Sequence, residues 1–302
     1  DPTDVMADVE LGAMKSITDY TGNEGEEKAL KTYNYNFAGS AIKTITSFTY
    51  TNDALTKSVT NKALNVTGDT AEVTLGAKKS ETIYTGNEGE EKAQKTYNYD
   101  FDGLVVKTTT TFTYTADALT LSVTTKLQDG TIKKSETVYT GNEGEEKALK
   151  TYNYNFTGSA IKTVTEFFYT ADALSSSNTN RVKDPTDVMA DVELGAMKSI
   201  TDYFGNEGEE KALKTYNYNF AGDKIKTITS FIYTNDALTK SVTNRATGDT
   251  GDTLVVGIGA KRSETFYTGN EGEEKAQKTY NYDFAGTVVK TTTAFTYTAD
   301  VL

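Results

Sequence analysis

A chain of 302 residues with no Cys, no His and no Trp leaves no material for disulfides or thiolate metal centres and lacks the commonest general base. Its 43 acidic and 31 basic residues give a net charge of −12, which argues against a nucleic-acid partner, because phosphate binding needs basic clusters. No apolar run approaches the roughly 18 residues of a membrane-spanning helix.

Self-similarity decides the architecture. The block Gly-Asn-Glu-Gly-Glu-Glu-Lys-Ala begins at Gly22, Gly86, Gly141, Gly205 and Gly269, at intervals of 64, 55, 64 and 64 residues. The chain therefore reads as five units: A (1–61), B (62–124), C (125–183), A′ (184–244) and B′ (245–302, incomplete). A larger period lies over this one. Asp1–Asn61 returns at Asp184–Asn244, with Phe204 for Thr21, Asp223 for Ser40, Lys224 for Ala41 and Ile232 for Thr49.

In unit A, strands are expected at about 13–20, 29–37, 41–51 and 55–60. Tyr33, Tyr35 and Phe37 alternate with Thr32, Asn34 and Asn36, and are predicted to form the buried ladder. In the third strand Ile42, Thr44, Thr46, Phe48 and Tyr50 alternate with Lys43, Ile45, Ser47, Thr49 and Thr51. Turns fall at Gly22–Lys28, Ala38–Ser40 and Asn52–Ala54. A basic residue also echoes 28 residues later in every unit: Lys15 and Lys43, Lys79 and Lys107, Lys134 and Lys162, Lys198 and Lys226, Arg262 and Lys290. Each unit thus reads as two related hairpins.

The connectors between units differ in length, as exposed loops tolerate. Asn61–Ala77 is long and Lys126–Ile132 is short, which accounts for the 55-residue interval. A third connector, Asp184–Gly195, has Asp184 at an N-cap position, Pro185 after it and Gly195 at the end. That pattern predicts one or two helical turns there and at the matching copy around Pro2. The fold class expected is all-β: a tandem-repeat hairpin or meander array, solenoid-like or filamentous, with short helical connectors.

Three motifs invite chemistry. The acidic turn Gly22–Lys28 offers Asn23, Glu24, Glu26 and Glu27 as oxygen donors for calcium. Its spacing fits neither the EF-hand loop nor the glycine-rich calcium β-roll repeat, and Lys28 and Lys31 can neutralise it. A solvated, ion-paired turn is the expectation. Paired carboxylates repeated five times on identical turns do not supply the two distinct environments that acid–base catalysis needs. No catalytic, cofactor-binding or metal-binding residue is therefore assigned, and the chain is not expected to be an enzyme. Thr109, Thr111, Thr113 and Thr115 share a strand face, as threonines do on ice-binding sheets, but Lys43 and Ile45 interrupt the matching face in unit A. Asn65-Val66-Thr67 is an N-glycosylation sequon.

Tyr97-Asn98-Tyr99-Asp100-Phe101-Asp102-Gly103 resembles the tyrosine–aspartate (YD, Rhs-type) repeat, and Tyr280–Gly286 matches as well. Asn36, Asn155 and Asn219 depart from it at the Asp position, and the unit is longer than a single hairpin. The resemblance implies an extracellular or surface β-strip of tandem hairpins. The readings carried forward are a structural segment of an extracellular fibre or surface scaffold, an adhesin stalk, and a YD-like shell enclosing an effector. The partners expected are neighbouring repeats, further copies and glycans, with no nucleic acid and no membrane span. Asp1 in place of an initiator Met suggests a processed protein or a fragment. Leu302 maps onto Leu119, ahead of the fourth strand of its unit, so a longer chain or a neighbouring copy is expected to supply that strand.

Overall fold

The computed structural model describes residues 13–36, 38–65, 67–186, 188–269 and 274–297. Among them are nineteen strands. Unit A holds β1 (Ser16–Thr21), β2 (Lys28–Tyr35), β3 (Ile42–Thr51) and β4 (Ala54–Ala63); unit B holds β5 (Leu75–Thr85), β6 (Lys92–Tyr99), β7 (Val106–Thr115) and β8 (Ala118–Lys126). Unit C holds β9 (Ile132–Thr140), β10 (Lys147–Tyr154), β11 (Ile161–Thr170) and β12 (Ala173–Val182). Unit A′ holds β13 (Leu194–Phe204), β14 (Lys211–Tyr218), β15 (Ile225–Thr234) and β16 (Ala237–Thr247); B′ holds β17 (Gly257–Thr268), β18 (Lys275–Tyr282) and β19 (Val289–Ala294). The fold is all-β, a repeated antiparallel hairpin meander.

The chain forms two compact bodies, Asp1–Thr113 with Ser122–Ile132, and Tyr114–Leu121 with Lys133–Leu302. In the first, each strand from β1 to β7 pairs antiparallel with the next. In the second, the same holds from β9 to β19. The five second-strand tyrosines keep one register: Tyr33 faces Ile45, Tyr97 faces Thr109, Tyr152 faces Val164, Tyr216 faces Ile228 and Tyr280 faces Thr292.

Simple alternation fails once between second and third strands. Tyr35 pairs with Ile42 and Asn34 with Thr44, so the register steps over Lys43. This β-bulge turns Ile42 onto the same face as Ile45, where both are buried at 3% and 2% exposure against Tyr33. The strict two-residue alternation expected for β3 is thus corrected. Equivalent clusters are Tyr154, Ile161 and Val164 in unit C, and Tyr216, Ile225 and Ile228 in A′. On the opposite face, threonines line up across the strands rather than along them. Thr18–Thr32, Thr46–Thr60, Thr165–Thr179 and Thr229–Thr243 each share a 2.9 Å hydroxyl hydrogen bond.

The predicted ladder of Tyr33, Tyr35 and Phe37 ends at the tyrosines. Phe37 lies outside the described residues, and its counterparts Phe101, Phe156, Phe220 and Phe284 are exposed. The preceding residue leaves the strand to close a turn. Asp100 Oδ1 accepts the N–H groups of Leu104 and Val105, and Asn36 Oδ1 those of Ser40 and Ala41. Asn can replace Asp here because the role is to accept. The Asn copies also donate, to Ser40, Ser159 and Asp223.

The long connectors run through bends and turns and lie on the sheet. Val73, Met189 with Val192, and Val256 cover the clusters of units A, C and A′. The helix expected in Asp184–Gly195 reduces to a three-residue 3-10 turn, Met189–Asp191, flanked by extended Val188 and Val192 and without a side-chain cap. Packing explains the correction: Ile161 N–H donates to Thr186 O, and Lys183 N–H to Glu193 O, which keeps the connector strand-like. The copy around Pro2 lies outside the described residues. In unit B the connector is short, and Thr109 stands where Ile45, Val164 and Ile228 stand elsewhere. It is buried at 3% exposure and donates its hydroxyl to Leu127 O at 2.8 Å.

Candidate functional site

The acidic turn and the turn Thr-Asn-Asp-Ala-Leu, which reads Thr-Ala-Asp-Ala-Leu in units B and C, are distant in sequence and meet at unit boundaries. The Thr-Asn-Asp-Ala-Leu turn joins third and fourth strands with two left-handed residues, Asn52 at φ 49° and Asp53 at φ 68°, as a two-residue hairpin requires. The acidic turn needs its glycines: a Cβ on Gly22, at φ 128°, would lie 2.5 Å from Glu26 O. Its last glutamate folds back to accept the N–H of the second glycine, as Glu91 does from Gly89 and Glu210 from Gly208, both at 3.0 Å.

The other oxygen of that glutamate reaches into the preceding unit. Glu91 accepts Leu55 N–H at 2.8 Å, Glu146 accepts Leu119 N–H at 2.8 Å, and Glu210 and Glu274 accept Leu174 and Leu238 N–H at 2.9 Å. The N–H of Leu55, with those of Glu91 itself and Gly89, holds the Glu91 carboxyl below its ordinary range. The Leu174 N–H heads the same effect on Glu210.

A lysine completes each junction. Lys28 Nζ lies 2.6 Å from Asp53 and 3.1 Å from Glu88 of the next unit, and Lys147 lies 2.6 Å from Asp172 and 3.3 Å from Glu207. The hydrogen bond to Asp53 raises the Lys28 pKa against the cost of desolvation. Each lysine also sits over an aromatic ring, Lys28 over Tyr50 at 5.8 Å and Lys147 over Tyr169 at 5.7 Å. The first and last carboxylates of the turn thus point to separate lysine and backbone partners. Among the described residues no three His, Cys, Asp or Glu converge as metal ligands.

A second polar group lies under the sheet. Glu136 and Glu264, at 5% and 7% exposure, accept the hydroxyls of Tyr154 and Tyr282. Lys133 and Lys261 pair with them at 2.9 and 3.0 Å, and Lys240 adds a contact to Glu264 at 2.8 Å. Burial opposes ionisation of Glu264, but hydrogen bonds from Lys240, Tyr282 and Lys261 outweigh it and lower its pKa to about 2. Units A and A′ place Met14 and Ile17, or Met197 and Ile200, at these positions. There the tyrosine hydroxyl turns to the connector instead: Tyr35 donates to Gly68 O at 2.7 Å and Tyr218 to Gly251 O at 2.6 Å. The acid has moved two residues along, to Asp19 and Asp202, beside Tyr33 and Tyr216.

Sequence reasoning singles out both junction turns without linking them. The missed partner is a backbone N–H, which no side-chain pattern marks. The signal for it is the recurrence of both turns in every unit. Lys133, Glu136, Lys261 and Glu264 are also missed. Their signal is the paired exchange of Lys and Glu for Met and Ile between units.

No family model matches the chain, and no curated protein matches it. Among solved structures, it is similar to a porin-like protein from Bacteroides uniformis at 10% identity and a TM-score of 0.30, covering 78% of this chain and 91% of that one. It is also similar to TcdB2-TccC3 at 13% identity and a TM-score of 0.25, covering 94% of this chain and 16% of that one. Both scores lie below the range in which two chains share a fold.

Proposed function

We propose that this chain is a non-enzymatic segment of an extracellular or surface repeat scaffold, in which successive units are clamped to carry load. The observation that supports this reading most is the glutamate-to-leucine bond, repeated at four unit boundaries with the same atoms and nearly the same length. Repeat proteins gain stability chiefly from such nearest-neighbour contacts, and coupling there makes units act together. Near-identical acidic turns committed to one structural task suit a scaffold better than a catalyst.

The tyrosine–aspartate resemblance supplies a second reading, a β-shell around an effector, supported by the Tyr97-x-Tyr99-Asp100 turn and its capped geometry. An adhesin stalk, with binding in a separate terminal domain, is the third. Electron micrographs of the intact particle test all three. A continuous fibre is the expected result. A closed hollow body would replace the proposal with the shell reading, and a thin shaft ending in a globular head would replace it with the stalk.

A further inference from the structure

The basic residues that echo at 28-residue spacing are the bulge residues. The register steps over Lys107, Lys162, Lys226 and Lys290 between second and third strands. It steps over Lys79, Lys198 and Arg262 between the fourth strand and the first strand of the next unit. A bulge re-aims its extra side chain out of the ladder. These cations therefore project at the strand ends opposite the acidic turns, and all seven are exposed.

At the boundary of C and A′, Lys162 and Lys198 meet Arg181 in an open cleft of about 570 Å³, lined also by Ile161, Pro185 and Phe220. Arg181 is held in place by Met197 O at 3.2 Å and Phe220 O at 3.5 Å, and its guanidinium lies 5.2 Å from the Phe220 ring centre. Phe220 nevertheless stays 86% exposed. The same parts recur elsewhere. Lys62 lies 3.2 Å from the Phe101 ring centre and donates to Phe101 O, with Lys43 and Lys79 as its bulge cations. Arg245 lies 4.7 Å from the Phe284 ring centre, with Lys226 and Arg262. Among the described residues, no carboxylate pairs with Lys79, Lys162, Lys198, Lys226 or Arg262.

Unneutralised cations in a chain of net charge −12 call for an anion. We infer that the cleft of Lys162, Arg181, Lys198 and Phe220, and the matching group of Lys226, Arg245, Arg262 and Phe284, each bind a charged sugar of a linear acidic polysaccharide, and that the two bind one strand of it. These two sites lie in the second body, four strands apart, or about 19 Å at the usual interstrand spacing. That sparse spacing suits a glycan carrying isolated carboxylates better than a nucleic acid, whose phosphates are dense and which the overall charge repels. The ring face suits sugar C–H groups. Cations held by bulges and by backbone carbonyls are positioned before the ligand arrives.

Calorimetry with oligogalacturonate long enough to span two clefts tests the inference, with neutral dextran and single-stranded DNA of matched length as controls. The expected result is salt-sensitive binding of the oligogalacturonate alone, weakening about tenfold or more in Lys162→Ala/Lys198→Ala and in oligomers too short to reach a second cleft. Lys150→Ala, which removes a lysine paired with Glu166 at 2.8 Å, should leave binding unchanged. Circular dichroism checks that the variants fold. No binding by the parent chain, equal loss in Lys150→Ala, or equal binding of DNA would each overturn the inference. A non-fibrous particle in micrographs would end the scaffold reading and leave this result standing.

Discussion

Glu210 accepts the backbone N–H of Leu174, in the unit before its own, at 2.9 Å. Its second oxygen holds Gly208 N–H at 3.0 Å, so one carboxylate fixes its own turn and the neighbouring one. Glu210→Ala removes both acceptors and should cost about 1–2 kcal/mol, with Glu210→Gln costing less because its carbonyl oxygen still accepts. Equilibrium denaturation measures both. The pH dependence has a definite sign. The folded carboxyl titrates below its ordinary 4.5, so its contribution is present above that pH and is lost as pH falls below it.

Glu264 extends this to stronger acid. Its pKa of about 2 against an ordinary 4.5 corresponds to a stabilisation on the order of 3 kcal/mol at neutral pH. The folded value is depressed, so this contribution declines as pH falls from about 4.5 toward 2. Glu264→Gln should flatten the acid limb of a stability–pH curve over that window.

The unit A′ arrangement suggests how to replace that group. Glu264→Ile alone strands Lys261 and Lys240 and leaves the Tyr282 hydroxyl without its acceptor. It should destabilise by about 3–5 kcal/mol. Lys261→Met/Glu264→Ile copies the Met197 and Ile200 pair of A′, and should lose clearly less than the two single changes combined. Thermal melts of the three variants supply the comparison.

Two glycines with like backbones separate strain from crowding. Gly222 has φ 77°, and a Cβ there would lie 2.4 Å from Met197 N; Gly208 has φ 80° and open space. Gly208→Ala should cost about 1 kcal/mol from the left-handed conformation alone. Gly222→Ala should cost at least twice that, because backbone must move. Chemical denaturation of the pair checks the order.

The strands and turns are legible because their residues act locally. Alternating Tyr and Thr set the pleat, and Gly, Asn and Asp set the turns. The bulges are less legible: their residues are the Lys and Arg that recur at 28-residue spacing, but a recurring basic residue does not by itself mark a step in register. Their trace is Ile42 and Ile45, three apart where a flat strand would place buried residues two or four apart. Alternation also assigns the Phe37 position to the core, but at Phe101 and Phe220 the pattern stops once Asp100 or Asn219 caps its turn. The apparent N-cap at Asp184 yields to tertiary packing, because Met189 and Val192 gain more by lying on the Tyr154 cluster. The glutamate-to-leucine clamp escapes a sequence reading, because its donor is main chain.

The central claim is that units act together through that clamp, and single-molecule pulling tests it most directly. The parent chain should unfold in steps longer than one unit, and Glu91→Ala/Glu146→Ala/Glu210→Ala/Glu274→Ala, which removes all four clamps, should break those steps into single-unit events at lower force. A parent chain that already unfolds one unit at a time, with the quadruple variant indistinguishable from it, would contradict the account.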